Sequence, residues 1–170
     1  MNSSIKTLTT CLVILSSAIA LSACGDVEAG DVEANLWEEN KALWDSHNLQ
    51  NYKYTITFGC YCSTKATSPF EVTVKNGVVE EAIYLESSHG MEAGTQVDEA
   101  SPFRDDPLDT FTIAGRFDVL QTALSTADEA TVHYDSALGY PKEVHLDYLL
   151  DYPDDEVSMR IENFELIQGS

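Results

Sequence analysis

Phe70–Glu86 reads FEVTVKNGVVEEAIYLE, two short runs that meet at Asn76-Gly77. A two-residue hairpin turn whose twist matches its strands needs positive φ at both central positions, which Asn and Gly adopt at little cost. The stretch therefore predicts an antiparallel pair. Just upstream, NYKYTITFGCYC (Asn51–Cys62) alternates Tyr52, Tyr54, Ile56 and Phe58 with Lys53, Thr55 and Thr57, the period of a half-buried strand. Further upstream, NLWEENKALWDSHN (Asn35–Asn48) carries Leu36 and Trp37, then Leu43 and Trp44, seven residues on. That spacing predicts a helix with one apolar stripe. Asn35 and Glu38 supply the capping-box pattern for a start there.

Downstream the plan repeats. TIAGRFDVLQTAL (Thr112–Leu124) places Ile113, Phe117, Leu120 and Leu124 on one helical face, although the Gly115-Arg116 pair predicts a late start or a bend. ATVHYD, KEVHLDYL and VSMRIENFEL then follow as three strands separated by turns. Between the two halves, residues 86–109 show no periodicity and are rich in Gly, Pro, Ser and acid; a connection this long is either functional or disordered. The order helix, three strands, helix, three strands predicts an α+β domain: an antiparallel sheet of about six strands with two helices packed on one face.

Trp44, Tyr52-Lys53-Tyr54, the Cys60-Tyr61-Cys62 pair, VTVKNGVV, TIAGRF and above all VHYDSALGYPKEVHLDY (Val132–Tyr148) together form a recognisable pattern. It resembles the bacterial lipoprotein family called domain of unknown function 6174, over about Leu36 to Leu166. The resemblance implies an envelope lipoprotein with a single α+β domain. It carries over no catalytic residue and no cofactor.

The N-terminus points to the same compartment. Lys6 is the only charged side chain before the apolar run CLVILSSAIA, which closes on LSAC, Leu21–Cys24. A basic start, a short apolar core and small residues before a cleavage point are the features of an exported chain, and the run is too short to span a bilayer. LSAC resembles the lipobox of bacterial lipoproteins, so residues 1–23 are expected to be removed and Cys24 to become the lipidated first residue. More than one acyl chain gives stable anchoring. Residues 24–34 contain the repeat GDVEAGDVEA and read as an acidic spacer ahead of a single domain at 35–170. With Gly25 after Cys24, the expected location is the periplasmic face of the outer membrane in a Gram-negative host.

Charge narrows the partners. The chain has 29 acidic and 9 basic residues, a formal charge of −20, which opposes binding to nucleic acid and to anionic lipid surfaces. The expected contacts are the membrane through the lipid and an envelope protein or small ligand through the domain.

With Cys11 in the signal and Cys24 acylated, Cys60 and Cys62 are the remaining thiols in a compartment that favours disulfides. They share parity with Phe58, which points both toward the core if the strand stays regular, but residues two apart in a strand have Cα atoms about 6.6 Å apart, the long edge of disulfide geometry. A Cys60–Cys62 clip is favoured, with a bulge at Gly59; two buried thiols and a metal or redox role are the alternatives. His133 and His145 would face each other if the hairpin turned about Gly139, and could then share a metal, yet no third ligand is fixed. Asp151–Glu156 (DYPDDE) lacks the spacing of a calcium loop. Asp135 and Asp147 flank the GYP turn, where Asp135 is expected to cap it. No nucleophile–base or metal-triad spacing appears, so the chain reads as a binding module without catalytic residues. The alternative is metal handling through Cys60 and Cys62 with a histidine.

Overall fold

The computed structural model describes residues 29–87, 92–97, 107–150 and 154–168, with side chains from Glu33 onward. The elements are α1 (Ala29–His47), β1 (Tyr52–Gly59), a single turn α2 (Thr64–Thr67), β2 (Phe70–Lys75), β3 (Val78–Tyr84), a 3-10 turn (Leu108–Phe111), α3 (Ile113–Leu124), β4 (Glu129–Tyr134), β5 (Pro141–Asp147) and β6 (Val157–Leu166). Six strands form one antiparallel sheet in the order β3-β2-β1-β6-β5-β4. Each half of the chain contributes three consecutive strands. The halves join where β1 pairs β6.

Alternation decides which residues enter the core. Tyr54, Ile56, Phe70, Val72, Val74 and Ile161 are wholly buried, and they meet Trp44, Ile113, Phe117 and Leu120 from the helices in one cluster. The helices thus cover one face, as predicted. No helix among the described residues is long and apolar enough to cross a membrane. The Asn76-Gly77 turn has both residues at positive φ, 51° and 76°, as a primed hairpin turn requires.

Several boundaries differ from expectation. Helix α1 starts at Ala29, so the second GDVEA copy is helical, the spacer reaches no further than residue 28, and Asn35 is a helix residue and not a cap. Of the apolar stripe, Trp44 is buried and Trp37 packs on the core, but Leu36 is exposed. The 86–109 loop is partly built into the sheet: Gly94 N–H donates to Tyr84 O, Tyr84 N–H to Thr95 O and Val97 N–H to Ala82 O, while Val97 fills the core. A free strand edge invites foreign pairing; this segment seals that of β3. Residues 88–91 and 98–106 of the loop lie outside the described residues.

Helix α3 begins at Ile113, ahead of the Gly115-Arg116 pair, with Thr112 as N-cap accepting from the Gly115 N–H at 2.9 Å. Gly115 is required because a Cβ there would sit 2.7 Å from the Thr110 backbone. Arg116 is buried, donates from Nε to Thr110 O at 2.6 Å, and lies 4.5 Å from the Phe111 ring centroid. Two tyrosines of β1 fasten this junction to the sheet: the Tyr54 hydroxyl donates to Phe111 O, and the Tyr52 hydroxyl accepts from the Ile113 N–H at 2.9 Å. Burial pushes the Tyr52 phenol up to about 12, so it stays a neutral hydroxyl throughout the ordinary pH range.

The GYP loop closes the second half onto α1. Asp135 Oδ1 accepts from the Ala137 and Leu138 N–H groups at 3.0 and 2.9 Å, the expected cap. Gly139 has φ +82°, and an added Cβ would run into Asn40 O and come within 3.1 Å of Leu43 Cβ. Tyr140 then stacks on Phe164 at 4.9 Å between ring centroids, and both rings meet Trp44 nearly at right angles. Phe164 reaches the core through a bulge in β6, where Asn163 has φ 52° and the register with β1 shifts between Lys53 and Thr55.

Candidate functional site

The open sheet face, opposite α1 and α3, carries the alternate residues of each strand. Registers align them in cross-strand rows: Gly59, Ser158 and His145 in one, Thr57, Arg160 and Glu143 in the next. Opposed side chains in such rows lie close enough to interact. Arg160 donates to Glu143 Oε1 at 2.8 Å, and His145 Nε2 lies 3.4 Å from the same oxygen. Hydrogen bonding to Arg160, then to His145, holds the Glu143 carboxyl below the usual carboxylate range. Lys53 similarly reaches Glu71 at 3.3 Å and Glu165 at 3.4 Å. The side chains of Arg160 and His145 are each 57% exposed, so these pairs order the surface without desolvating it. Exposed ion pairs add little stability.

At the end of this face where β1 stops, Gly59 leaves the room that the Ser158 hydroxyl occupies; a Cβ would collide with it. The chain then departs from the strand and closes the Cys60–Cys62 disulfide with Cα atoms 5.3 Å apart. That is well inside disulfide geometry, whereas a regular strand would hold them at about 6.6 Å. Parity with Phe58 is lost as a result: Cys60 is half-buried, Cys62 is exposed, and neither joins the core. Tyr61 stands at the apex of the clip, 84% exposed. Ser63 caps α2 directly behind it.

Beside the clip lies a cleft of about 440 Å³, lined by Gly59, Cys60, Tyr61, His145, Asp154, Glu156, Val157 and Ser158. A smaller depression of about 310 Å³ continues along the rows past Arg160 and Glu143 and shares Gly59, His145 and Ser158 with the cleft.

The structure separates other residues that spacing had paired. His145 faces Thr131, and His133 faces Glu143, because the loop spans Asp135 to Tyr140 and a bulge follows His133. The two imidazoles are therefore not opposite each other. Among the described residues no group of three or more His, Cys, Asp or Glu side chains could hold a metal ion, and the sulfurs that a metal-handling reading requires are bonded to one another. Asp147 Oδ1 accepts from the Leu149 N–H at 3.1 Å, a turn role like that of Asp135. Of the acid run, Asp151 lies outside the described residues, as do Cys24 and the rest of the N-terminal segment; Asp154 and Glu156 line the cleft. Sequence reasoning missed Arg160, Glu143, Ser158 and Tyr61. The alternation Ser158, Arg160, Glu162 was visible, but which strand would lie beside it was not.

An α+β domain with helices on one sheet face and a charged, cleft-bearing opposite face is a class defined by its scaffold. The pattern of a family of unknown function, DUF6174, matches residues 37–166, and the chain belongs to that family. No curated protein and no solved structure matches the chain. Of the residues on which the resemblance rests, Trp44, Tyr52, Tyr54, TIAGRF and the GYP loop build the core and its junctions, whereas Lys53, the Cys60–Cys62 clip, Glu143 and His145 lie on the open face or beside its cleft.

Proposed function

We propose that the chain is a lipid-tethered cell-envelope protein that binds a partner on the open sheet face and does not catalyse a reaction. The observation that carries this reading is the division of labour across the sheet. The helix side carries the buried core, while the opposite side presents exposed charged rows running into a cleft. Binding surfaces are commonly placed at the ends of a rigid scaffold in this way. His145 and Ser158 are cross-strand neighbours, but the carboxylate beside His145 is held more closely by Arg160, 2.8 Å against 3.4 Å. That geometry suits an ordered surface better than a base oriented for proton abstraction.

A photo-crosslinking residue at Thr57, in the intact cells that make the protein, is expected to capture a defined partner, while the same residue at Asp118 on the exposed side of α3 captures none. Capture at Asp118 alone would move the interface to the helices and overturn the reading.

The tether rests on LSAC and the acidic residues behind it. Cys24→Ser is expected to abolish the acyl mass and shift the protein from the membrane to the soluble fraction. A wild-type protein that fractionates as soluble and has no acyl chains would refute lipidation.

A further inference from the structure

We infer that the cleft beside the Cys60–Cys62 clip receives a Lys- or Arg-rich segment of a protein partner, with Tyr61 as the aromatic anchor. This rests on the reading of the open face as a binding surface and names the partner's chemistry. Three observations converge. Tyr61 is 84% exposed, yet it is the middle residue of a covalently closed clip, so its ring is presented with little backbone freedom left to lose on binding. The cleft beside it is large enough, at about 440 Å³, for a long side chain, and among the described residues its lining holds Asp154, Glu156 and His145 but no Lys or Arg. Arg160 lines the adjoining depression and is already bound to Glu143.

A cation entering the cleft thus meets two carboxylates, with the exposed Tyr61 at its rim. Guanidinium and ammonium groups are attracted to aromatic faces, and the chain's charge of −20 draws basic partners from a distance. An anionic or purely apolar occupant would gain neither. A peptide is favoured over a small amine because the cleft runs on into the 310 Å³ depression past Glu143 and Glu162, which an extended basic segment can follow and a single amine cannot.

The test is calorimetric titration of the full chain with an acetylated, amidated octapeptide alternating Arg and Ser, its Glu-for-Arg counterpart, and spermidine. Binding of the Arg peptide alone is expected, weakening as salt rises from roughly 50 to 300 mM because the Debye length shortens. Tyr61→Ala should raise Kd roughly tenfold and Tyr61→Phe much less. Asp154→Asn with Glu156→Gln should also raise it roughly tenfold; Asn tolerates the φ of 76° at position 154. Removing two charges from the helix side, Glu39→Gln with Asp118→Asn, should leave Kd unchanged. Equal weakening by both pairs would mean bulk charge attraction and overturn the cleft. Spermidine binding as tightly as the peptide would replace the peptide by a small amine, and binding of the Glu peptide or of neither peptide would overturn the partner's chemistry. Those failures leave the Thr57 crosslinking result standing, whereas capture at Asp118 alone would remove the surface itself.

Discussion

Gly139→Ala is expected to cost about 3 kcal/mol of stability, more than its one added methyl suggests. The residue sits at φ +82°, where an L side chain costs roughly 1–2 kcal/mol. Its Cβ would also be forced into α1, against Asn40 O and 3.2 Å from the Trp44 nitrogen, and overpacking against backbone adds about 1–3 kcal/mol. Neither element can retreat easily. The loop is pinned by Asp135, and the helix is fixed by the rings of Tyr52, Tyr140 and Phe164 around Trp44. Thermal denaturation followed by circular dichroism should show a fall in Tm of roughly 10 °C. An unchanged Tm would mean that the GYP loop does not pack against α1.

Trp44→Ala should be worse, at about 3–5 kcal/mol, the range for emptying a large aromatic site in a core that cannot collapse. Trp44 is 5% exposed and meets Tyr52, Tyr140 and Phe164 edge to face, with centroids 5.4, 6.4 and 5.9 Å away and interplanar angles of 85–90°. Those three rings come from β1, the GYP loop and β6, so the indole joins both halves of the chain. The contrast is with Cys60→Ser plus Cys62→Ser. A three-residue loop has little closure entropy to lose, roughly 1.5 kcal/mol by the chain-entropy relation, and the clip lies outside the core. Denaturant titrations of the two variants should rank Trp44→Ala as much the more damaging. The opposite ranking would show that the clip organises the sheet and does not merely present Tyr61.

The two halves of the domain respond to these changes together because the β1–β6 pairing runs through the middle of the sheet. Loss at the α1–GYP contact therefore reaches the open face only by loosening that central pair. In the presence of the basic octapeptide, Gly139→Ala should weaken binding only where it unfolds the chain.

Local pattern alone determined a good deal. Alternation in Tyr52–Phe58 and Phe70–Lys75, positive-φ tolerance at Asn76-Gly77, and the helical spacing of Ile113, Phe117 and Leu120 each depend on residues within a few positions of one another. The sequence therefore determined six antiparallel strands, two covering helices and the Asp135 cap. It also contained the Cys60–Cys62 pair, but strand parity placed those sulfurs in the core, because parity holds only while the strand continues, and this one ends at Gly59. Tertiary structure decided the rest. Which strand lies beside which, β1 against β6, depends on contacts about a hundred residues apart that no local period records. The same holds for the bulge that seats Phe164, for the two-residue displacement that parts His133 from His145, and for the burial of Arg116 under the 3-10 turn. The site follows from that pairing: Gly59, Ser158 and His145 are neighbours only because β1, β6 and β5 are, since a side chain's partners across a sheet are set by register and not by its own position in the chain.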